Sequence, residues 1–467
     1  MARSERALPV RMRRVAVIIL RERVREALVT LAEAGTLDLA GPLGSGDGPA
    51  LETLRRLESR RAAAARPSPA LARRAPDIQR LERAGARDVL AGEVELDRRR
   101  SSSVSHGSFA LFVGWVPAPE LGRLAERLRP LGGELLELPS PRGQMPPTLL
   151  APSAAATPFR PLLDTYGAVP YEDLDPTAFV TLTYCLMFGM MFGDVGDGIL
   201  VVLAALALRR TRRPRLARLR KAWPMIAAPG AAAVVFGALY GEFFGPTRLL
   251  PTLWLAPLDS PTDLLAAAIA IGGGLLVAGH LLGIVNRWRE GGVALAMTAV
   301  SGVPGLSLLA GGALAGLGVL DHIGVLRAVG LGLVAAAVIL LAVGLRQEAG
   351  GGGAGLGEVA VGLFDAVMRT FSNVFSFSRL AAFGLTHAAL AKVVLDAAGG
   401  LTGTVGGDLG AVAVFAVGGA AAFALEALVA AVQALRLEYY ELFSRLFTLE
   451  GRPFRPWSLP LTSIEEA

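Results

Sequence analysis

Phe371-Ser-Asn-Val-Phe-Ser-Phe-Ser-Arg379-Leu-Ala-Ala-Phe-Gly-Leu-Thr-His387-Ala-Ala-Leu390 is apolar enough to sit in a lipid bilayer, yet carries a full positive charge near its middle. An arginine at bilayer depth costs at least ~2.5–3.5 kcal/mol on insertion scales, so it marks a functional site by default. The competing reading is an arginine neutralised by a structural Asp or Glu on a neighbouring helix. The rest of the chain has to choose between the two.

With 53% hydrophobic residues and a mean hydropathy of +0.50, the 467-residue chain is too apolar for an ordinary soluble protein. Several windows reach the ~20 apolar residues that cross a bilayer. The first part of the chain has none. The expected organisation is therefore a cytoplasmic domain over 1–165 and a transmembrane domain over 166–467. Met1–Arg14 is basic, but a strand-like run and a charged helix follow it rather than the core of a signal peptide. A single cysteine, Cys185, excludes an intrachain disulfide and any multi-cysteine metal site. Neither a phosphate-binding Gly-x-x-x-x-Gly-Lys-Ser/Thr loop nor a His-Glu-x-x-His pair occurs. No cofactor and no metal is expected. The net charge of +6 is concentrated in the first part and in the loops between apolar runs. It fits membrane orientation rather than nucleic-acid binding.

The expected fold is mixed. A small N-terminal α/β lobe with a short helical hairpin precedes an all-α polytopic domain of about eight transmembrane helices. Val15–Leu20, Arg23–Ala34 and Leu37–Leu39 read as strand, amphipathic helix and strand. Phe109–Val116, Pro117–Leu131 and Glu134–Leu138 repeat that order, and two such units can share one sheet. Between them Leu51–Arg100 is interrupted by Pro67, Pro69 and Pro76 and reads as two short helices, with Arg98–Ser105 as a polar linker.

Thr177–Leu208 is broken by Gly193-Asp-Val-Gly-Asp-Gly198, and Arg209–Lys221 holds eight basic residues with no acid. The positive-inside rule puts that basic stretch in the cytoplasm, beside the N-terminal domain. An even number of crossings then precedes it, so Thr177–Phe192 and Val195–Leu208 read as a hairpin turning at Gly193–Asp194. Asp194 and Asp197 read as caps of that turn, and Glu242 as either structural or functional. Later spans are Lys221–Gly245, Pro261–Val285, Val293–Val319, Ile323–Leu345, Leu356–Ala398 and Leu409–Phe447. Asn286–Glu290 and the Gly350–Gly355 cluster are expected as inner loops, and both termini as cytoplasmic.

Within the last two helices Asp365 and Arg379 lie about 40° apart around the helix and ~21 Å apart along it. Ser372 and Ser376 share that face, Asn373 flanks it, and His387 lies ~12 Å further on. The final helix carries Glu426 and Arg436. Polar groups at this depth face a partner or a water-filled cavity. An acid, hydroxyls, an arginine, a histidine and a second acid in sequence suit two aqueous half-paths separated by a cation. The expectation is that Arg379 divides two paths rather than pairing with one carboxylate. The bland alternatives are a core histidine at 387, serines bonded to their own helix, and an Arg436 that reaches the interface.

At these residues the chain resembles the membrane stator subunit of rotary V-type and archaeal-type ATPases, the subunit a or subunit I family. Phe188-Gly-Met-Met-Phe-Gly-Asp-Val-Gly196, Tyr240-Gly-Glu-Phe-Phe-Gly245, Ser376-Phe-Ser-Arg379-Leu with His387, and Glu426 with Leu435-Arg-Leu437 and Glu450–Phe454 carry the likeness. Met12–Leu39 and Gly114–Pro117 resemble parts of its cytoplasmic domain. The resemblance implies that Arg379 faces the carboxylates of a proteolipid c-ring with Arg436 in support. It implies that Asp365, Ser372 and Asn373 line a cytoplasmic half-channel, and that Glu426 and His387 line the outer one. It further implies peripheral-stalk subunits and a central-stalk socket subunit as partners, a lipid bilayer around the helices, and ATP turnover on other chains. The family's cytoplasmic domain is about twice as long, so Leu51–Arg100 stands where a long hairpin and a distal lobe are usual. A secondary transporter with a midplane site and a non-pumping assembly relative are the rival readings. The first lacks the internal repeats that transporters commonly show, and intact Arg379, Arg436 and Glu426 count against the second.

Overall fold

The computed structural model describes residues 8–41, 44, 47–60, 67–141, 144–151, 157–213, 216–348, 355–401, 407–447 and 451–462. Most of the Gly350–Gly355 cluster and Glu450 lie outside them. The chain forms two compact units. One comprises Pro9–Ala151, Ala168–Tyr171 and Gly451–Ala467, and the other comprises Met1–Leu8, Pro152–Gly167 and Glu172–Glu450.

In the strand-containing unit, β1 (Met12–Leu20) leads through α1 (Val24–Ala34) to β2 (Asp38–Leu39). There follow α2 (Pro49–Arg60), β3 (Leu71–Ala72), α3 (Ile78–Ala84), α4 (Arg87–Ser101), β4 (Val104–His106), β5 (Phe109–Pro117), α5 (Leu121–Leu128) and β6 (Glu134–Leu138). The two strand-helix-strand units interleave in one antiparallel sheet of order β2-β5-β1-β6, with β4 added to β5. This is the split β-α-β arrangement. Val15, Val17 and Ile19 of β1 pack with Leu28 and Leu31 of α1 and Leu124 and Leu128 of α5. The amphipathic spacing of those helices is what the sheet face satisfies.

Between the halves stand three helices rather than the expected two, because Gly85 in the left-handed conformation (φ 66°) closes α3 and α4 restarts at Arg87. Arg98–Ser101, read as linker, is the last turn of α4. At Gly92 a Cβ would lie 1.9 Å from the Ala70 carbonyl oxygen, so only glycine lets α4 approach the chain before β3. The last described residues return to this unit. β7 (Leu461–Thr462) pairs in parallel with β3, Trp457 donates its backbone N–H to Leu37 O at 2.9 Å, and its ring joins the sheet core.

The other unit is helical: α6 (Arg160–Tyr166), α7 (Thr177–Met191), α8 (Val195–Arg210), α9 (Ala217–Lys221), α10 (Trp223–Tyr240), α11 (Pro261–Thr298), α12 (Val303–Leu320), α13 (Gly324–Glu348), α14 (Gly355–Ser376), α15 (Ser378–Gly399), α16 (Gly407–Leu437) and α17 (Phe443–Leu446). Among the described residues, six helices are long and apolar enough to cross a membrane, α14 with α15 and α16 with α17 each counting once. α7 and α8 are shorter, at 15 and 16 residues, and are joined by the expected turn at Gly193–Asp194, but each packs on α10 rather than on the other. Against the expected count of about eight, six described helices are long enough to span, and α7 is a shorter apolar one. α7 and α8 pack on α10 through glycines: a Cβ at Gly237 would meet Val195 N at 2.3 Å. Small residues at helix contacts let backbones approach closely where no hydrophobic drive separates lipid from protein.

Asn286–Glu290 is not a loop. It continues α11, whose helical geometry fails only at Gly291 and Gly292. The polar residues are accommodated because they are partnered. Asn286 Oδ1 accepts from Leu174 N and its Nδ2 donates to Leu446 O, while Arg287 pairs with Glu290.

Candidate functional site

Arg379 follows a break. α14 ends at Ser376, Phe377 leaves the helical pattern, and α15 begins at Ser378. Phe377 is fully buried over Gly272 of α11, where any Cβ would lie 2.1 Å from the ring. The anchored ring fixes the position of the arginine two residues later.

The guanidinium donates to Glu441 Oε1 at 2.6 Å, with side-chain exposures of 23% for Arg379 and 6% for Glu441. The expectation that Arg379 stands without a carboxylate of its own chain is therefore corrected. Its partner sits where a regular helix would not put it. Residues Glu438–Leu442 form a π turn between α16 and α17. One extra residue per turn rotates everything beyond it by about 100°. Ser376 and Arg436 are the other polar neighbours of Glu441. Arg436 itself is exposed.

Asp365 pairs with Arg369 one turn on, at 2.5 Å, and both side chains are more than half exposed. Ser372 is exposed and Asn373 buried. The Asn373 amide, oriented to suit its neighbours, donates to Arg369 O at 3.1 Å and accepts from Arg445 at 3.0 Å. Asp365 and Ser372 lie seven residues apart, hence on one side of α14. That side carries an exposed apolar stripe: Val361, Phe364, Met368, Phe371 and Phe375. Leu425, Leu428 and Val432 form a similar stripe on α16, four residues short of Arg436.

A second constellation gathers around His387. Its Nδ1 donates to Glu426 Oε2 at 2.5 Å, joining α15 to α16. Its Nε2 lies 4.0 Å from Asp197 Oδ2. Asp194, Glu242 and His387 each offer a ligand atom within 4.8 Å of the others. Asp194 caps α8 through Asp197 N–H at 3.0 Å and also accepts from Phe244 N and Gly245 N at 2.9 and 2.7 Å. Asp197 and Glu426 open onto a cavity of about 270 Å³ whose other walls are mainly apolar, among them Phe244, Phe415 and Phe423.

The sequence model of the V-type ATPase 116 kDa subunit family matches residues 104–257. Over 407 residues the chain is 28% identical to an A-type ATP synthase subunit I of Thermococcus kodakarensis, covering 79% of this chain and 58% of the relative. For the same subunit of Archaeoglobus fulgidus the identity is 28%, over 78% of this chain and 60% of the relative. A human V-type proton ATPase 116 kDa subunit a 3 is 29% identical over 154 residues, 30% of this chain and 19% of its own length. These matches make the chain similar to the subunit a/subunit I family. It spans about three fifths of the length of the archaeal relatives just named.

The sequence pointed to Arg379, His387 and Glu426. The structure joins the last two to each other and the first to Glu441. It adds Glu438, which accepts from Thr183 at 2.8 Å, and the buried Arg445. These were missed, although two acids and a second arginine in the apolar run Leu435–Phe447 were a signal of the same kind as Arg379.

Proposed function

We propose that the chain is the non-catalytic membrane stator subunit of a rotary V/A-type ATPase. It couples movement of protons or sodium ions to rotation of a proteolipid c-ring, while other subunits turn over ATP. The observation that carries this reading is the placement of Arg379. It lies at the end of an exposed apolar stripe on α14, held by Glu441, and about 12 Å along the helix from the His387–Glu426 pair.

Two apolar stripes ending near arginines suit a rotor whose surface is apolar except for one carboxylate per unit. A rotor carboxylate that reaches Arg379 is favoured in its charged form, because an opposite charge within ~4–6 Å lowers a carboxyl pKa. It therefore gives up its ion there. Glu441 and the rotor carboxylate would share the guanidinium in turn, so Arg379 is never left unpaired at membrane depth.

Asp197, Glu426 and His387, with Asp194 and Glu242 behind them, form a relay of exchangeable groups beside the 270 Å³ cavity on the outer side. Asp365, Ser372, Asn373 and Ser376 would serve the cytoplasmic side, with Arg369 and Arg445 modulating them. The strand-containing unit would lie in the cytoplasm and receive the peripheral-stalk subunits and the central-stalk socket subunit. The test is Arg379→Ala in the reconstituted complex. Loss of ATP-driven ion uptake with the complex intact is expected, and uptake at the wild-type rate would refute the assignment.

A further inference from the structure

We infer that Asp194, Glu242 and His387 form a binding site for a divalent transition-metal cation, with Zn²⁺ the best match to the donor set. The three groups come from separate elements: the turn before α8, the residue after the Gly241 cap of α10, and the middle of α15. Their ligand atoms nevertheless lie within 4.8 Å of one another. A modest contraction brings them to the spacing that a metal with ~2.0–2.2 Å bonds imposes.

Two of the donors are buried and unsatisfied. Glu242 and His387 are each 3% exposed, and Glu242 Oε2 and His387 Nε2 have no hydrogen-bond partner among the described residues. Polar atoms at such depth are ordinarily bonded, so two that converge on one point need a ligand there. The imidazole is also prepared for a metal. With Nδ1 committed to Glu426 at 2.5 Å, Nε2 is the nitrogen left with a lone pair, as in carboxylate–histidine–zinc triads. Asp194 is held by three backbone amides and is a rigid ligand. Asp197, 4.0 Å from Nε2 and facing the cavity, supplies a fourth donor or a bridge to water.

One imidazole and two or three carboxylates suit Zn²⁺. Magnesium keeps several waters, and calcium takes six to eight oxygens; this enclosed site offers neither. A bound cation would occupy the lone pair of His387 and hold the carboxylates ionised, so the relay could no longer pass protons. That consequence rests on the function proposed above, whereas binding itself does not.

The test uses the full chain purified in detergent and titrated with ZnCl₂, with bound metal counted and its shell read by zinc X-ray absorption. One Zn²⁺ per chain in an oxygen and imidazole shell is expected. Glu242→Gln and His387→Ala should each weaken it at least tenfold. Glu426→Gln, which removes only the partner of the imidazole, should weaken it about 10–100-fold. Glu242→Gln conserves shape, and its thermal unfolding verifies that the fold is intact. Absence of saturable binding, or wild-type affinity in both Glu242→Gln and His387→Ala, would overturn the site. Stoichiometric binding with undiminished ion uptake by the reconstituted complex would uphold the site and remove His387 from the ion path.

Discussion

Glu441→Gln tests the centre of the structure. The substitution keeps shape but removes the charge that neutralises Arg379. Breaking a fully buried ion pair costs about 3–5 kcal/mol, largely because one charge is left unpaired. Glu441 is nearly enclosed at 6% side-chain exposure, but Arg379 keeps 23%. The expected loss is therefore below that range, about 2–3 kcal/mol. A double-mutant cycle with Arg379→Ala separates the pair from the rest of each side chain. Unfolding the purified chain in mixed micelles with rising denaturing detergent gives the four free energies. A coupling of about 2 kcal/mol is expected, with Arg379→Ala relieving much of the damage done by Glu441→Gln. Coupling below ~0.5 kcal/mol would mean that the 2.6 Å contact does not hold the arginine, and the account of its placement would fail.

Trp457→Ala removes a ring from the sheet core and should destabilise the strand-containing unit by about 3–5 kcal/mol, read by thermal unfolding; a loss under ~1 kcal/mol would show that the tail is only laid against the sheet. Burial pushes the Glu93 carboxyl up to about 7, with Arg25 at 2.7 Å opposing the shift. The unfolded carboxyl ionises first, so stability should fall as pH rises from about 4.5 to 7, by at most ~3 kcal/mol. Glu93→Gln should flatten that slope, and parallel pH profiles for the two proteins would contradict it.

Much of this organisation was legible as local pattern. Apolar runs, the basic stretch Arg209–Lys221 and the glycines of Gly193–Gly198 mark the helical unit and the turn between α7 and α8, because hydropathy and helix breaking act over a few residues. Arg379, His387 and Glu426 were legible for a related reason: a charged or titratable group in an apolar run is costly wherever it packs. The interleaving of two β-α-β units was not, since either unit alone is compatible with adjacent strands.

What the sequence determined by itself is thus the two-part architecture and which polar groups would have to be satisfied at membrane depth. What satisfies them was decided only in the tertiary structure. Glu441 meets Arg379 across 62 residues, Glu426 meets His387 across 39, and Asp194 meets Gly245 across 51. The first of these meetings depends on a π turn, which shifts Glu441 off the regular helical phase. Periodicity reports the face of an isolated helix. Which faces meet, and which chain segment returns to fill a sheet core, depends on packing among elements far apart in the chain.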